Sequence, residues 1–88
     1  MSNHEKTLEI VTNLDRGAIE ARLAEVRKMA QSDNLGDLAA MLNGLEGQPR
    51  AQVEKRVREA LKWLADKPQH KGLAARLELV EINLPNLK

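Results

Sequence analysis

Aliphatic residues recur at spacings of three and four in four separate segments of this chain, and that spacing is the period of an α-helix. Side chains spaced in this way lie along one stripe of a helix and can be buried together. A chain with four such stripes can bury them only by packing its helices against one another. The stripes are Ile19, Leu23, Val26 and Ala30; Leu35, Leu38, Leu42 and Leu45; Val53, Val57, Ala60 and Leu64; and Leu73, Leu77, Val80 and Leu84.

Residues that begin or end helices bound these segments. Asn13 or Asp15 can accept a hydrogen bond from a free N–H at the start of the first stripe, and Asn34 can do so at the second. Pro49 is typical of the first turn of a helix, and Pro68 ends the third segment because proline lacks an N–H. We therefore predict helices over about Glu5–Leu14, Asp15–Gln31, Leu35–Leu45, Pro49–Asp66 and Leu73–Leu84.

The composition favours the same fold class. Trp63 is the only aromatic residue among the 88, and the chain has no cysteine. A β-sandwich or barrel draws on aromatic and β-branched residues, whereas leucine, alanine, glutamate, lysine and arginine are strong helix formers. We predict a single all-α domain over residues 1–88, a small bundle of four or five helices with short flexible ends at 1–4 and 85–88.

The last segment is open to two interpretations. As a strand, Leu77–Leu84 alternates between apolar and polar residues around one irregularity. As a helix, it has a second apolar face, formed by Ala75, Leu79 and Ile82, opposite its first stripe. We favour the helix, and the alternative is a helical core with a terminal strand or wing.

A second apolar face requires a cover, because monomers rarely expose contiguous apolar surface. Two covers fit the sequence: the segment Leu8–Val11 of the same chain, or another chain. A chain of this length buries a modest share of its surface, so self-association is favourable and we expect a homodimer. Leu79 and Ile82 are the interface candidates on this face, and Trp63 is a third because tryptophan is enriched at interface hot spots.

Few residues are suited to catalysis or metal binding. The serines and threonines lie in no nucleophile motif, and neither cysteine nor tyrosine is present. His4 and His70 both lie in polar segments, where nothing positions a general base. No glycine-rich phosphate loop occurs. We therefore expect no enzymatic activity, no cofactor and no metal.

A basic helix face supports a second hypothesis, which is binding to nucleic acid. Lys55, Arg58 and Lys62 share the outer face of the Pro49–Asp66 helix, and Arg50 lies near its start. Lysine and arginine clustered along a helix can bind phosphates. The apolar residues on either side of the glycine-containing turn resemble the skeleton of helix-turn-helix and winged-helix regulators. These residues are Leu38, Ala39, Val53, Val57 and Leu61, and a strand over Leu77–Leu84 would be the wing.

The charge pattern argues against that hypothesis. Oppositely charged residues four apart on a helix are ordinary surface pairs. The expected pairs are Glu54–Arg58, Lys55–Glu59 and Lys62–Asp66. The whole chain has 14 lysine and arginine residues against 13 acidic ones, a net charge of +1, so it has no general attraction for a polyanion.

The sequence therefore favours a small protein–protein interaction module with a regulatory, adaptor or subunit role. A helix-turn-helix-like nucleic-acid-binding regulator is the alternative. The first residues, Met1–Lys6, have no apolar core of a signal peptide, and the longest apolar run, Leu38–Leu42, is far too short to span a bilayer. We expect a cytoplasmic protein that does not bind membranes.

Overall fold

The computed structural model describes residues 13–87, and within this range the chain forms four α-helices joined by short connections. These are α1 (Arg16–Ser32), α2 (Gly36–Met41), α3 (Arg50–Leu64) and α4 (Lys71–Asn83), with one-turn 3-10 helices at Pro68–His70 and Leu84–Asn86. The described residues contain no strand, so the all-α prediction is confirmed and the wing is excluded from them. The predicted helix Glu5–Leu14 lies outside the described residues, except Asn13 and Leu14, which are not helical.

One aliphatic core holds the helices together. Every residue of the four predicted stripes is buried except Leu35, which is partly buried and packs against the others. Helix α4 contacts both α1 and α3, and α2 packs across the same two helices. Burying a leucine, isoleucine or valine side chain is worth about 1.5–3 kcal/mol, so these stripes are the main source of stability.

The start of α1 agrees with the sequence, but the junction between α1 and α2 corrects the predicted role of Asn34. Asp15 caps α1 by accepting the N–H of Ala18 at 2.8 Å. Asn34 has left-handed backbone, with φ of 62°. The Leu35 N–H donates to the Ala30 carbonyl at 2.8 Å, the hydrogen bond of a Schellman motif. Asn34 therefore ends α1 and does not cap α2.

Helix α2 is shorter than the predicted Leu35–Leu45 helix. Left-handed backbone at Gly44, with φ of 73°, turns the chain away from the helix axis. Side chains of α1 then hold the connection to α3. The Glu20 carboxylate accepts the N–H of Gly47 at 2.7 Å, and Arg16 pairs with Glu20 at 3.4 Å.

A polar clamp joins the segment before α1 to the end of α4. The side-chain oxygen of Asn83 accepts the Leu14 N–H at 3.0 Å. The side-chain amide of Asn86 donates to the Leu14 carbonyl at 2.8 Å. Leu87, within the predicted flexible end 85–88, is only 2% exposed, so the packed part of the fold extends to this residue. We call Leu14, Asn83 and Asn86 the Leu14 clamp.

Candidate functional site

Helix α4 is apolar on two opposite sides. Its inner stripe is buried in the core, whereas Ala75, Leu79 and Ile82 lie on the other side. Ile82 exposes 44% of its surface and is the one large hydrophobic side chain within residues 13–87 that is exposed. Ala75 is exposed and Leu79 is half-buried. We call these three residues the α4 outer face.

Helical geometry explains this arrangement. Leu79 follows the buried Leu77 by two residues, and Ile82 follows the buried Val80 by two. Residues two apart are separated by about 200° around a helix, so each pair points in nearly opposite directions. Neither Leu79 nor Ile82 belongs to the core cluster of the described residues. The predicted second apolar face is therefore present.

Charged side chains border the α4 outer face. Arg76 reaches Glu25 of α1 at 3.6 Å, and Glu81 reaches Arg58 of α3 at 3.9 Å. These ion pairs bridge α4 to its two neighbours on either side of the apolar residues. An apolar centre with a polar rim is the usual arrangement of a protein–protein interface.

Trp63 lies on a separate surface. Its ring is half-buried against the core and shares a shallow depression with Met41 of α2, which no residue of α4 lines. The Lys67 ammonium group lies 4.0 Å from the centroid of the indole ring, in cation–π geometry. Lys67 also donates to the Trp63 carbonyl at 3.0 Å. The structure therefore does not join Trp63 and the α4 outer face into one interface.

Lys67 also changes the predicted pairing at the end of α3. Its ammonium group lies 3.1 Å from the carboxylate of Asp66, which was expected to pair with Lys62. This hydrogen bond and the positive charge of Lys67 lower the pKa of the Asp66 carboxyl below its ordinary value. Lys62 thus remains outside the ion pairs of the described residues.

The outer face of α3 brings together three of the four predicted basic residues. Lys55, Arg58 and Lys62 lie on one side of α3, whereas Arg50 opens the helix in line with its buried stripe. Arg58 is already paired, at 2.7 Å from Glu54, as predicted. The two lysines have no ion-pair partner among residues 13–87.

The predicted pair Lys55–Glu59 does not form. Glu59 instead lies 3.9 Å from Arg56, three residues before it. Both spacings place side chains close together on a helix surface, and the sequence does not decide between them. The charged surface of α3 is therefore arranged differently from the predicted pattern, and both Lys55 and Lys62 lack the predicted ion-pair partner.

Two features implied by the resemblance to helix-turn-helix regulators differ in the structure. The connection between α2 and α3 comprises residues 42–49, whereas the motif uses a turn of about three or four residues. The segment proposed as a wing is part of α4 in the described chain. The described residues therefore lack both the short turn and the wing of these regulators.

The described residues offer no cluster for a metal ion. No group of three or more histidine, cysteine, aspartate or glutamate side chains converges within residues 13–87. His70 lies in the 3-10 turn before α4, and His4 lies outside the described residues. Within the same range, every buried side-chain nitrogen or oxygen has a hydrogen-bond partner. No helix there combines the length and the apolar character needed to cross a bilayer.

Comparisons with known proteins give no relative to compare these surfaces with. No protein-family model matches the sequence, and neither a curated protein nor a solved structure matches the chain. The candidate functional surfaces of the described residues are therefore the α4 outer face and the basic face of α3.

Proposed function

We propose that this protein is a small interaction module that self-associates through the α4 outer face, in a regulatory, adaptor or subunit role in the cytoplasm. The observation that supports the proposal is the exposure of Ile82, 44%, beside the half-buried Leu79 on a helix whose inner side is fully packed. Burying such a side chain contributes about 1.5–3 kcal/mol relative to leaving it in water. In a two-fold symmetric pair, each residue is buried in both copies, so this gain is doubled.

Sedimentation equilibrium tests the proposal. We expect the wild type to have the mass of a dimer and the variant Leu79→Asp with Ile82→Asp to have the mass of a monomer. Far-ultraviolet circular dichroism should show that the variant keeps its helices. The matched control is Ala21→Asp with Gln69→Asp, which adds the same charge at exposed positions outside α4 and should remain dimeric.

Three results would contradict this proposal. A wild type that stays monomeric at high protein concentration removes the self-association. A variant that unfolds while the control stays folded shows that Leu79 and Ile82 stabilise the monomer itself. Since hydrophobic association persists in salt, a dimer that dissociates at raised ionic strength would also contradict the proposed interface.

We propose nucleic-acid binding through α3 as the second candidate, because Lys55 and Lys62 on its outer face have no ion-pair partner within residues 13–87. Labelled duplex DNA would be titrated at low salt with wild type and with Arg50, Lys55, Arg58 and Lys62 all changed to alanine. This candidate requires sequence-dependent binding that weakens steeply with salt and is lost in the variant. Absence of binding, or weak binding without sequence preference, removes it.

A further inference from the structure

The α4 outer face lies close to the point where residues 1–12 join the described chain. The Leu14 clamp fixes the backbone of Leu14 beside the last turn of α4, through hydrogen bonds of 3.0 Å to Asn83 and 2.8 Å to Asn86. The Asn83 side-chain amide also donates to the backbone carbonyl of Leu79, one helical turn earlier, at 2.9 Å. Residues 1–12 therefore join the described chain beside the last turn of α4, one helical turn after Leu79 in α4.

The length of the tether matches the length of the face. An extended chain spans at most about 3.3–3.6 Å per residue, so Val11 can lie up to about 10 Å from Leu14 and Leu8 up to about 20 Å. A helix rises about 1.5 Å per residue, which places Leu79 about 6 Å and Ala75 about 12 Å from Asn83 along α4. The segment Leu8–Val11 can therefore reach the whole α4 outer face.

The chemistry of the segment also fits the face. Three of its four residues, Leu8, Ile10 and Val11, have large aliphatic side chains, and the fourth is Glu9. A short tether raises the local concentration of a segment to the millimolar range, well above the usual concentration of a second protein copy. The tethered segment is therefore the first apolar partner that the α4 outer face meets.

We propose that Leu8–Val11 occupies the α4 outer face of its own chain in the monomer and must leave it before a second copy can bind there. The second half of this statement rests on the proposed function, whereas the first half does not. The segment then regulates self-association by competing for the same three residues.

Disulfide cross-linking of the full-length chain tests the occupancy, because the sequence contains no cysteine. Two double variants would be oxidised at low protein concentration: Ile10→Cys with Leu79→Cys, and Val11→Cys with Leu79→Cys. Two are needed because neighbouring side chains point in different directions in both a helix and an extended segment. We expect one pair to form an intrachain disulfide, seen as faster migration on a non-reducing gel that reduction abolishes.

The matched control is Ile10→Cys with Ser32→Cys. Cysteine is nearly isosteric with serine. Ser32 is exposed at the far end of α1, so the substitution leaves the core intact. The 17 residues of α1 span about 25 Å, beyond the roughly 14 Å that residue 10 can extend from Leu14. This pair should not form an intrachain disulfide. Circular dichroism would verify that each variant keeps its helices.

The outcomes separate this inference from the proposed function. Covalent dimers in place of the intrachain product, or no disulfide in either test pair, overturn the inference whether or not the wild type dimerises. The competition is tested by Leu8→Asp with Ile10→Asp, which should lower the dimer dissociation constant at least about threefold, because monomers no longer have to release the segment. An unchanged or raised dissociation constant overturns the regulatory half. A wild type that never dimerises refutes the function and leaves the cross-linking result standing.

Discussion

Helices α3 and α4 both bury an aliphatic inner face, but their outer faces differ in chemistry. Helix α3 buries four aliphatic residues in the core, and α4 buries three in the same core, followed by Leu84 in the next turn. On the outside, α3 presents lysine, arginine and glutamate, whereas α4 presents alanine, leucine and isoleucine flanked by charged residues. Packing of the core constrains only the inner stripes. The residues of the outer faces therefore indicate the environment of each helix outside the core. The α3 surface is suited to water, and the α4 surface is suited to another apolar segment.

The largest expected effect contrasts the two sides of α4 with the same substitution. Leu77→Ala removes a fully buried side chain and should lower the free energy of unfolding by about 2–5 kcal/mol. Leu79→Ala, two residues away, should cost clearly less, because this side chain lies outside the core and is only half-buried. Urea unfolding of both variants measures the difference, and equal losses would contradict the assignment of inner and outer sides.

A smaller effect is expected where the inner side of α4 ends. Asn83 is 1% exposed, and Asn83→Ala leaves the Leu14 N–H without its acceptor, which should cost about 1–3 kcal/mol. Asn86→Ala should cost less, because Asn86 is exposed and water can replace its hydrogen bond to the Leu14 carbonyl. Thermal unfolding would rank the two variants. A greater loss of stability for Asn86→Ala would contradict the larger contribution expected from Asn83.

The smallest effect concerns the α3 surface. Glu54→Gln removes the 2.7 Å pair with Arg58 and should lower the free energy of unfolding by only about 0.2–0.5 kcal/mol at low salt. The same loss should disappear near 1 M salt, where the Debye length is about 3 Å. Urea unfolding at the two salt concentrations provides the measurement. A loss that persists at high salt would show that Glu54 stabilises the fold by more than a screened ion pair with Arg58.

The buried stripes and the second face of α4 could be predicted because both depend only on helical period. The role of Asn34 could not. Asparagine is favoured at the start of a helix and also in the left-handed position that follows a helix. Here α1 ends at Ser32 and α2 begins at Gly36, so the same residue lies at both boundaries. Only the hydrogen bonds between the two helices decide between these roles.

The Leu14 clamp was missed for a different reason. Asn83 continues the spacing of the inner stripe of α4, three residues after Val80, and this is the one local signal of its burial. Its acceptor role depends on Leu14, 69 positions away, and no periodic pattern records such a distant contact. The pairing of Lys67 with Trp63 and Asp66 could not be predicted, because several lysines near the end of α3 can reach the same partners on sequence spacing alone.

The position of α4 in the bundle also affects how the protein is made. Of the four helices, α4 is synthesised last, yet it is the most extensive neighbour of both α1 and α3. At about 5–20 residues per second, translation of residues 71–87 takes roughly one to three seconds. During that time the stripes of α1 and α3 are complete but lack the helix that covers them. The complete core can therefore form only after residues 71–87 have left the ribosome, because α4 supplies the most extensive cover of α1 and α3.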